Sequence, residues 1–165
     1  MARRVFYSFH YKADNWRASQ VRNMGVVSGN RPATDNDWEA VKRGGDPAIE
    51  RWIRTQLHGK SCTVVLIGEK TAGRKWITFE IKESWRQGMG VLGIHVHKLK
   101  DRLGRTGSEG SSPFTGLSVD GVNLSSVLPT HDPAWFLGSS TDAYRTIAAR
   151  LPNWIEEAIR IRSEH

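Results

Sequence analysis

A single cysteine, Cys62, in 165 residues excludes an intrachain disulfide. Its place inside an apolar run makes a reducing, cytoplasmic setting the natural expectation. No apolar stretch approaches the length of a membrane span. The N-terminus, Met1 to Val5, leads straight into a strand-like segment and not into a signal peptide. A G-x-S-x-G elbow, a P-loop and a Rossmann glycine fingerprint are all missing, so serine-hydrolase and NTPase readings lack support. Internal repeats, low-complexity tracts and interdomain linkers are absent too, which predicts one domain over 1–165, large enough for a real core. Acids are comparatively scarce: 17 Asp and Glu face 24 Lys and Arg, a net charge of +7. That balance suits an anionic partner, and the interleaving of bases with acids fits a phosphate-bearing small molecule as well as nucleic acid.

What is present alternates between two periodicities. Arg3–Phe9 reads as a first strand, with His10–Asp14 as the loop at its carboxyl end. Asp14 or Asn15 is expected to cap a helix through Trp16, Val21 and Met24. Gly25–Ser28 is a short strand candidate. Gly29–Gly45 reads as a long functional loop with a helical turn around Trp38–Val41. Asp46 as N-cap, Pro47 at the first position and Glu50 at the third predict the next helix, with Trp52, Ile53 and Leu57 inward. Ser61–Ile67 is an apolar strand, and Val91–Val96 another.

From about 98 to 130 the chain is rich in Gly, Ser, Asp and charge, an irregular excursion with room for a short last strand. A C-terminal helix is predicted over about 141–162, with Ile147, Leu151, Trp154, Ile155, Ala158 and Ile159 inward and a kink at Pro152. Strands alternating with helices imply an α/β, doubly wound, mostly parallel sheet. Ligands of such sheets bind outside the carboxyl ends of the strands, at the switch in strand order. The loops His10–Asp14 and Glu69–Gly73 flank that point.

Between those strands lies the most informative stretch, residues 74–87. At about 100° per residue, Ile77, Ile81 and Trp85 share one arc, with Ser84 among them. Glu80 falls on the edge of the arc beside Trp76, whereas Glu83 is expected on the solvent side. A carboxylate at the boundary between apolar cover and open space is a candidate catalytic group. The blander reading makes Glu80 a helix-surface acid paired with Arg74, Lys75 or Ser84.

At these residues the chain resembles a known family. Val5-Phe-Tyr-Ser-Phe9 is similar to the opening strand of TIR domains, and Trp76-Ile-Thr-Phe-Glu80-Ile81 to the helix carrying the catalytic glutamate of NAD-cleaving members. Phe6-Tyr-Ser-Phe-His-Tyr11, Val21-Arg-Asn23, Val65-Leu-Ile-Gly68, Arg74-Lys-Trp76 and Leu92-Gly-Ile-His95 more narrowly resemble the TIR-like proteins of the bacterial Thoeris anti-phage system, the ThsB type. The resemblance is good from about residue 3 to 103 and weak beyond.

It implies a flavodoxin-like TIR fold with a five-stranded sheet, and NAD⁺ as substrate with no other cofactor. Glu80 takes the catalytic position. Ser8, Phe9, His10, Tyr11 and Trp76 take positions lining the substrate crevice. Many NAD-cleaving TIR domains carry arginines where this chain has His10 and Tyr11, a departure shared with the Thoeris subgroup. The resemblance further implies a phage component, such as a capsid protein, as trigger. It also implies an effector reached through a diffusible nucleotide, such as a cyclic ADP-ribose isomer, and a possible homo-oligomer. Neither a membrane nor a nucleic acid is an expected partner.

Other residues carry two readings each. Trp38 can stack on adenine or nicotinamide, or anchor its loop to the core. His95 and His97 share a strand face, yet no third ligand follows at persuasive spacing, so no metal is expected. The basic stretch Lys98–Arg105 is a partner surface or a solvated loop. An enzyme and a non-catalytic TIR interaction module are the two functions to separate.

Overall fold

The computed structural model describes residues 3–29, 40–133 and 138–165. Strand β1 (Arg4–Ser8) leads into helix α1 (Tyr11–Asn23), β2 (Ser28–Gly29), α2 (Gly45–Leu57), β3 (Cys62–Ile67), α3 (Lys75–Arg86) and β4 (Gly90–His95). A hairpin of β5 (Ser118–Val119) and β6 (Val122–Asn123) follows, then a 3-10 turn at Leu124–Ser126, β7 (Thr130–His131) and α4 (Ser140–Ser163). The main sheet has five strands in the order β2-β1-β3-β4-β7, every neighbouring pair parallel. Strand order reverses between β1 and β3, the switch expected of a flavodoxin-like sheet.

β3 is buried from end to end because both of its faces are covered. Side chains alternate across a strand. Val5 and Tyr7 of β1 therefore join Val64, Leu66, Leu92 and Ile94 beneath α1 and α4. Phe6 points to the opposite face, toward Ile49, Ile53 and Leu57 of α2. On that same face Val65, Ile67 and Val91 receive Ile77, Ile81 and Trp85 of α3. Ser8, two residues beyond Phe6, inherits the α2–α3 side. β4 needs Gly90 because a Cβ there would meet the backbone of Ala158 and Ile159 in α4 at 2.7–3.0 Å.

Several boundaries differ from the sequence reading. α1 is capped by His10, whose Nδ1 accepts the Ala13 N–H at 3.0 Å, and not by Asp14 or Asn15. Asp14 is instead buried in the first turn against Arg17. Trp16 lies on the outer face of α1. The second strand occupies Ser28–Gly29 and shares only Ser28 with the anticipated Gly25–Ser28. α2 begins at Gly45, after Gly44, so Asp46 sits in its first turn and pairs with Lys75 rather than capping. Residues 40–42 are helical, overlapping the end of the turn expected around Trp38–Val41, whose first two residues lie outside the described residues. Ser139 caps α4 in a capping box with Asp142, and the helix continues through Pro152.

Candidate active site

Gly73, at φ +78°, turns the chain from the β3 loop into α3, and Gly88, at φ +80°, ends the helix. Between them α3 lays Ile77, Ile81 and Trp85 on the sheet, and that docking fixes the azimuth of Glu80. A second device fixes its height. Ser84 Oγ donates to the Glu80 carbonyl at 2.6 Å and lies 2.6 Å from Thr63 Oγ1 of β3, with both hydroxyls fully buried. The turn carrying Glu80 is thus pinned to the central strand.

The Glu80 side chain reaches the end of β1, where Ser8 Oγ donates to Oε1 at 3.2 Å. Ser8 is buried. Glu80 is half-buried, yet the protein around its carboxyl is dense enough to push its pKa up to about 8, with the Ser8 hydrogen bond pulling back in the other direction. Among the described residues no Lys or Arg pairs with this carboxylate. Lys75 pairs with Asp46 and lies over the Trp76 ring, and Arg74 Nε donates to the Lys70 carbonyl. Ser84 takes the carbonyl and not the carboxylate. The surface-acid reading of Glu80 therefore loses its partners.

The remaining residues named from sequence divide into groups. His10 is fixed by its capping bond as the Nε2–H tautomer when neutral. Burial, then Arg74, holds its pKa down, with Lys70 acting the same way and Asp14 opposing. Phe9 packs on the α1–α4 core and stacks with Tyr11 at 6.4 Å, so these two rings gather on the α1 side. Trp76 packs on Phe79, edge-on at 5.9 Å, within the cluster under α2. Trp38 lies outside the described residues. His95 and His97 meet edge-on at 5.7 Å, and among the described residues no group of three His, Cys, Asp or Glu side chains can hold a metal. Burial pushes the Cys62 thiol up, which leaves it inert as a nucleophile.

Glu83 is a correction. It is buried, not solvent-facing, because α2 runs beside α3 and brings Arg54 Nε to 3.1 Å from its carboxylate, with Arg86 at 3.6 Å. Ser84 on the apolar arc and Arg74 near Glu80 are legible in the sequence, but the Thr63–Ser84 pair and the effect of Lys70 and Arg74 on His10 are not.

Two clefts open near these loops. One, of about 380 Å³, lies between the start of α1, Glu69–Lys70 and residues 97–107. The other, of about 670 Å³, lies between the outer face of α1 and residues 101–103. Glu80 lines neither. Cavity size and chemistry thus point to different places. Chemistry decides here, because Glu80 combines partial burial, a hydrogen bond to a strand end and a carboxyl held ready to change charge.

Residues 6–101 match the family model described as Thoeris protein ThsB, TIR-like domain. The chain belongs to the ThsB TIR-like family. A curated ThsB relative from Bacillus cereus (strain MSX-D12), ThsB1, is 36% identical over 164 residues, covering 94% of this chain and 82% of the relative. Its name gives it, provisionally, as a cyclic ADP-D-ribose synthase. The ThsB match takes in Ser8, His10, Thr63, Ser84 and Glu80, and stops as the segment after β4 begins its excursion.

Proposed function

We propose that this ThsB-type chain cleaves the nicotinamide–ribose bond of NAD⁺ and converts the ADP-ribose portion into a cyclic signalling nucleotide. One observation carries the reading: the carboxyl of Glu80, half-buried, free of cationic partners among the described residues, and hydrogen-bonded to Ser8 at the carboxyl end of β1. The provisional name of the B. cereus relative points the same way.

The chemistry requires little machinery. Nicotinamide leaves as a neutral pyridine, taking the C–N bonding pair, so no acid has to protonate the leaving group. This differs from O-glycosides, where one of two carboxyls supplies that proton. The positive charge left on the ribose is steadied by the Glu80 carboxylate, whose field is strengthened by partial exclusion of water. A nucleophilic atom of the same molecule then closes the cycle and gives up its proton; water in its place gives linear ADP-ribose. With pKa about 8, Glu80 is largely protonated at neutrality in the free protein, and the cationic pyridinium ring of NAD⁺ favours its ionised form on binding. Lys70 and Arg74, whose charges help hold the His10 pKa down, are the cations we assign to the diphosphate.

In this reading a phage component triggers the enzyme, the product reaches a separate effector by diffusion, and the protein works in the cytoplasm, with self-assembly as part of activation. The test is mass spectrometry of nucleotides from infected cells expressing wild type or Glu80→Gln. A cyclic ADP-ribose isomer present only with wild type is expected. Identical nucleotide pools in both would favour the non-catalytic interaction module.

A further inference from the structure

Three large apolar side chains stand exposed around one cleft: Tyr11 (44%), Trp16 (51%) and Leu103 (68%). Scattered exposed hydrophobics need no explanation, but a concave cluster does. The cleft, of about 670 Å³, runs between the outer face of α1 and the loop after β4.

That loop is firmly built. Asp101 Oδ1 accepts the N–H groups of Leu103 and Arg105, both at 2.9 Å, and the Asp101 N–H donates to the Arg105 carbonyl at 2.8 Å. α1 holds the loop from beneath. Arg17, a buried cation paired with Asp14, donates to the carbonyls of Leu99 at 2.8 Å and Arg105 at 3.0 Å, while Gln20 donates to the Lys100 carbonyl at 2.6 Å. The outcome of this scaffolding is a leucine held outward at a loop tip, across the cleft from a tryptophan. Pre-ordering of this kind lowers the entropic cost of binding.

The charge of the cleft is one-sided. Lys12 and Arg102 line it, and among the described residues no carboxylate pairs with either. Its single lining acid, Asp101, spends its carboxylate on its own loop and on Arg105 at 3.5 Å. Exposed Trp, Tyr and Arg around a concave surface are the side chains that dominate protein-binding energy.

We propose that this cleft docks a segment of another protein in which an apolar side chain is flanked by Asp or Glu. Apolar walls take the side chain, and Lys12 and Arg102 take the carboxylates. A second copy of this chain fits less well, since each would bring a net charge of +7. Single-stranded nucleic acid is disfavoured by Leu103, an aliphatic, non-stacking residue at the rim. The basic stretch Lys98–Arg105 thereby acquires a role apart from the Glu80 chemistry, and the proposal stands or falls without it.

The test selects binders of the full chain from a bead-displayed library of randomised peptides about a dozen residues long. Recovered peptides are then measured by fluorescence polarisation. Recovered sequences are expected to carry Asp or Glu around Leu, Phe or Trp. Their binding should fall roughly tenfold with Trp16→Ala or Leu103→Ser, and should weaken with added salt. Arg102→Glu is expected to reverse the preference toward basic peptides. Both apolar positions are exposed, and unchanged melting of the variants certifies the fold. Recovery of no peptide, recovery of neutral or basic ones, or equal binding by the variants would overturn the proposal. Tighter binding of oligo-dT, or self-association abolished by Leu103→Ser, would also overturn it.

Discussion

Ser8 and Glu80 are separated by 72 positions and joined by one hydrogen bond, Oγ to Oε1 at 3.2 Å. Ser8 closes β1 on the α2–α3 side of the sheet, and Glu80 projects from α3 beyond the docked isoleucines. This bond sets both where the carboxyl lies and how readily it ionises, since the serine hydroxyl favours the charged form while burial opposes it more strongly. Three consequences can be measured.

Activity on NAD⁺ should rise with pH. In the proposed reaction Glu80 acts as a carboxylate, and its pKa lies near 8, so kcat/KM is expected to climb through an ascending limb with an apparent pKa close to that value. A flat profile between pH 6 and 9 would argue that another group carries the charge.

Ser8→Ala removes the hydroxyl that lowers the pKa of Glu80. The ascending limb should therefore move to more alkaline pH by about half a unit to one unit, the equivalent of one hydrogen bond of about 1 kcal/mol. Loss at neutral pH should largely recover at high pH. An unshifted limb would remove Ser8 from the account.

Glu80 also leaves a signature on stability. Its folded pKa, about 8, lies above its ordinary value of 4.5, so the folded state holds the proton more tightly than the unfolded chain does. This contribution is complete below pH 4.5 and is lost as pH rises toward 8, at a slope of up to about 1.4 kcal/mol per pH unit. Glu80→Gln has no such slope. Relative to wild type, it should gain about 1–3 kcal/mol of unfolding free energy between pH 5 and pH 8 in denaturant titrations.

Much of this arrangement was legible in the residues. The β-branched, largely apolar run Thr63–Gly68 announced a strand covered on both faces, and the arc of Ile77, Ile81 and Trp85 placed Glu80 at an edge. What stayed hidden depends on partners distant in the chain. Glu83 looked solvated because Arg54, which covers it, belongs to another helix. Asp14 looked like a cap because nothing local foretold that Arg17 would reach the carbonyl of Leu99, 82 positions away. His10 caps α1 with a ring nitrogen, outside the usual Ser, Thr, Asp and Asn preference. Ser84 did carry a signal, a hydroxyl on an apolar arc, which only the position of Thr63 explains.

The Thr63–Ser84 pair gives a prediction independent of catalysis. Ser84→Ala leaves the buried Thr63 hydroxyl without its partner and should destabilise the fold by about 1–3 kcal/mol. Thr63→Val combined with Ser84→Ala should cost less than the sum of the single changes, because both orphaned groups are gone. Strict additivity in thermal melts would mean that the 2.6 Å contact carries no coupling.

The most direct test of the central claim is nicotinamide release from NAD⁺ by concentrated protein, supplied with lysate from phage-infected cells as the trigger. Wild type should release nicotinamide, while Glu80→Gln, with its melting curve intact and its shape preserved, should release none above background. Equal release by the two proteins, or no release by wild type with the trigger present, would contradict the account.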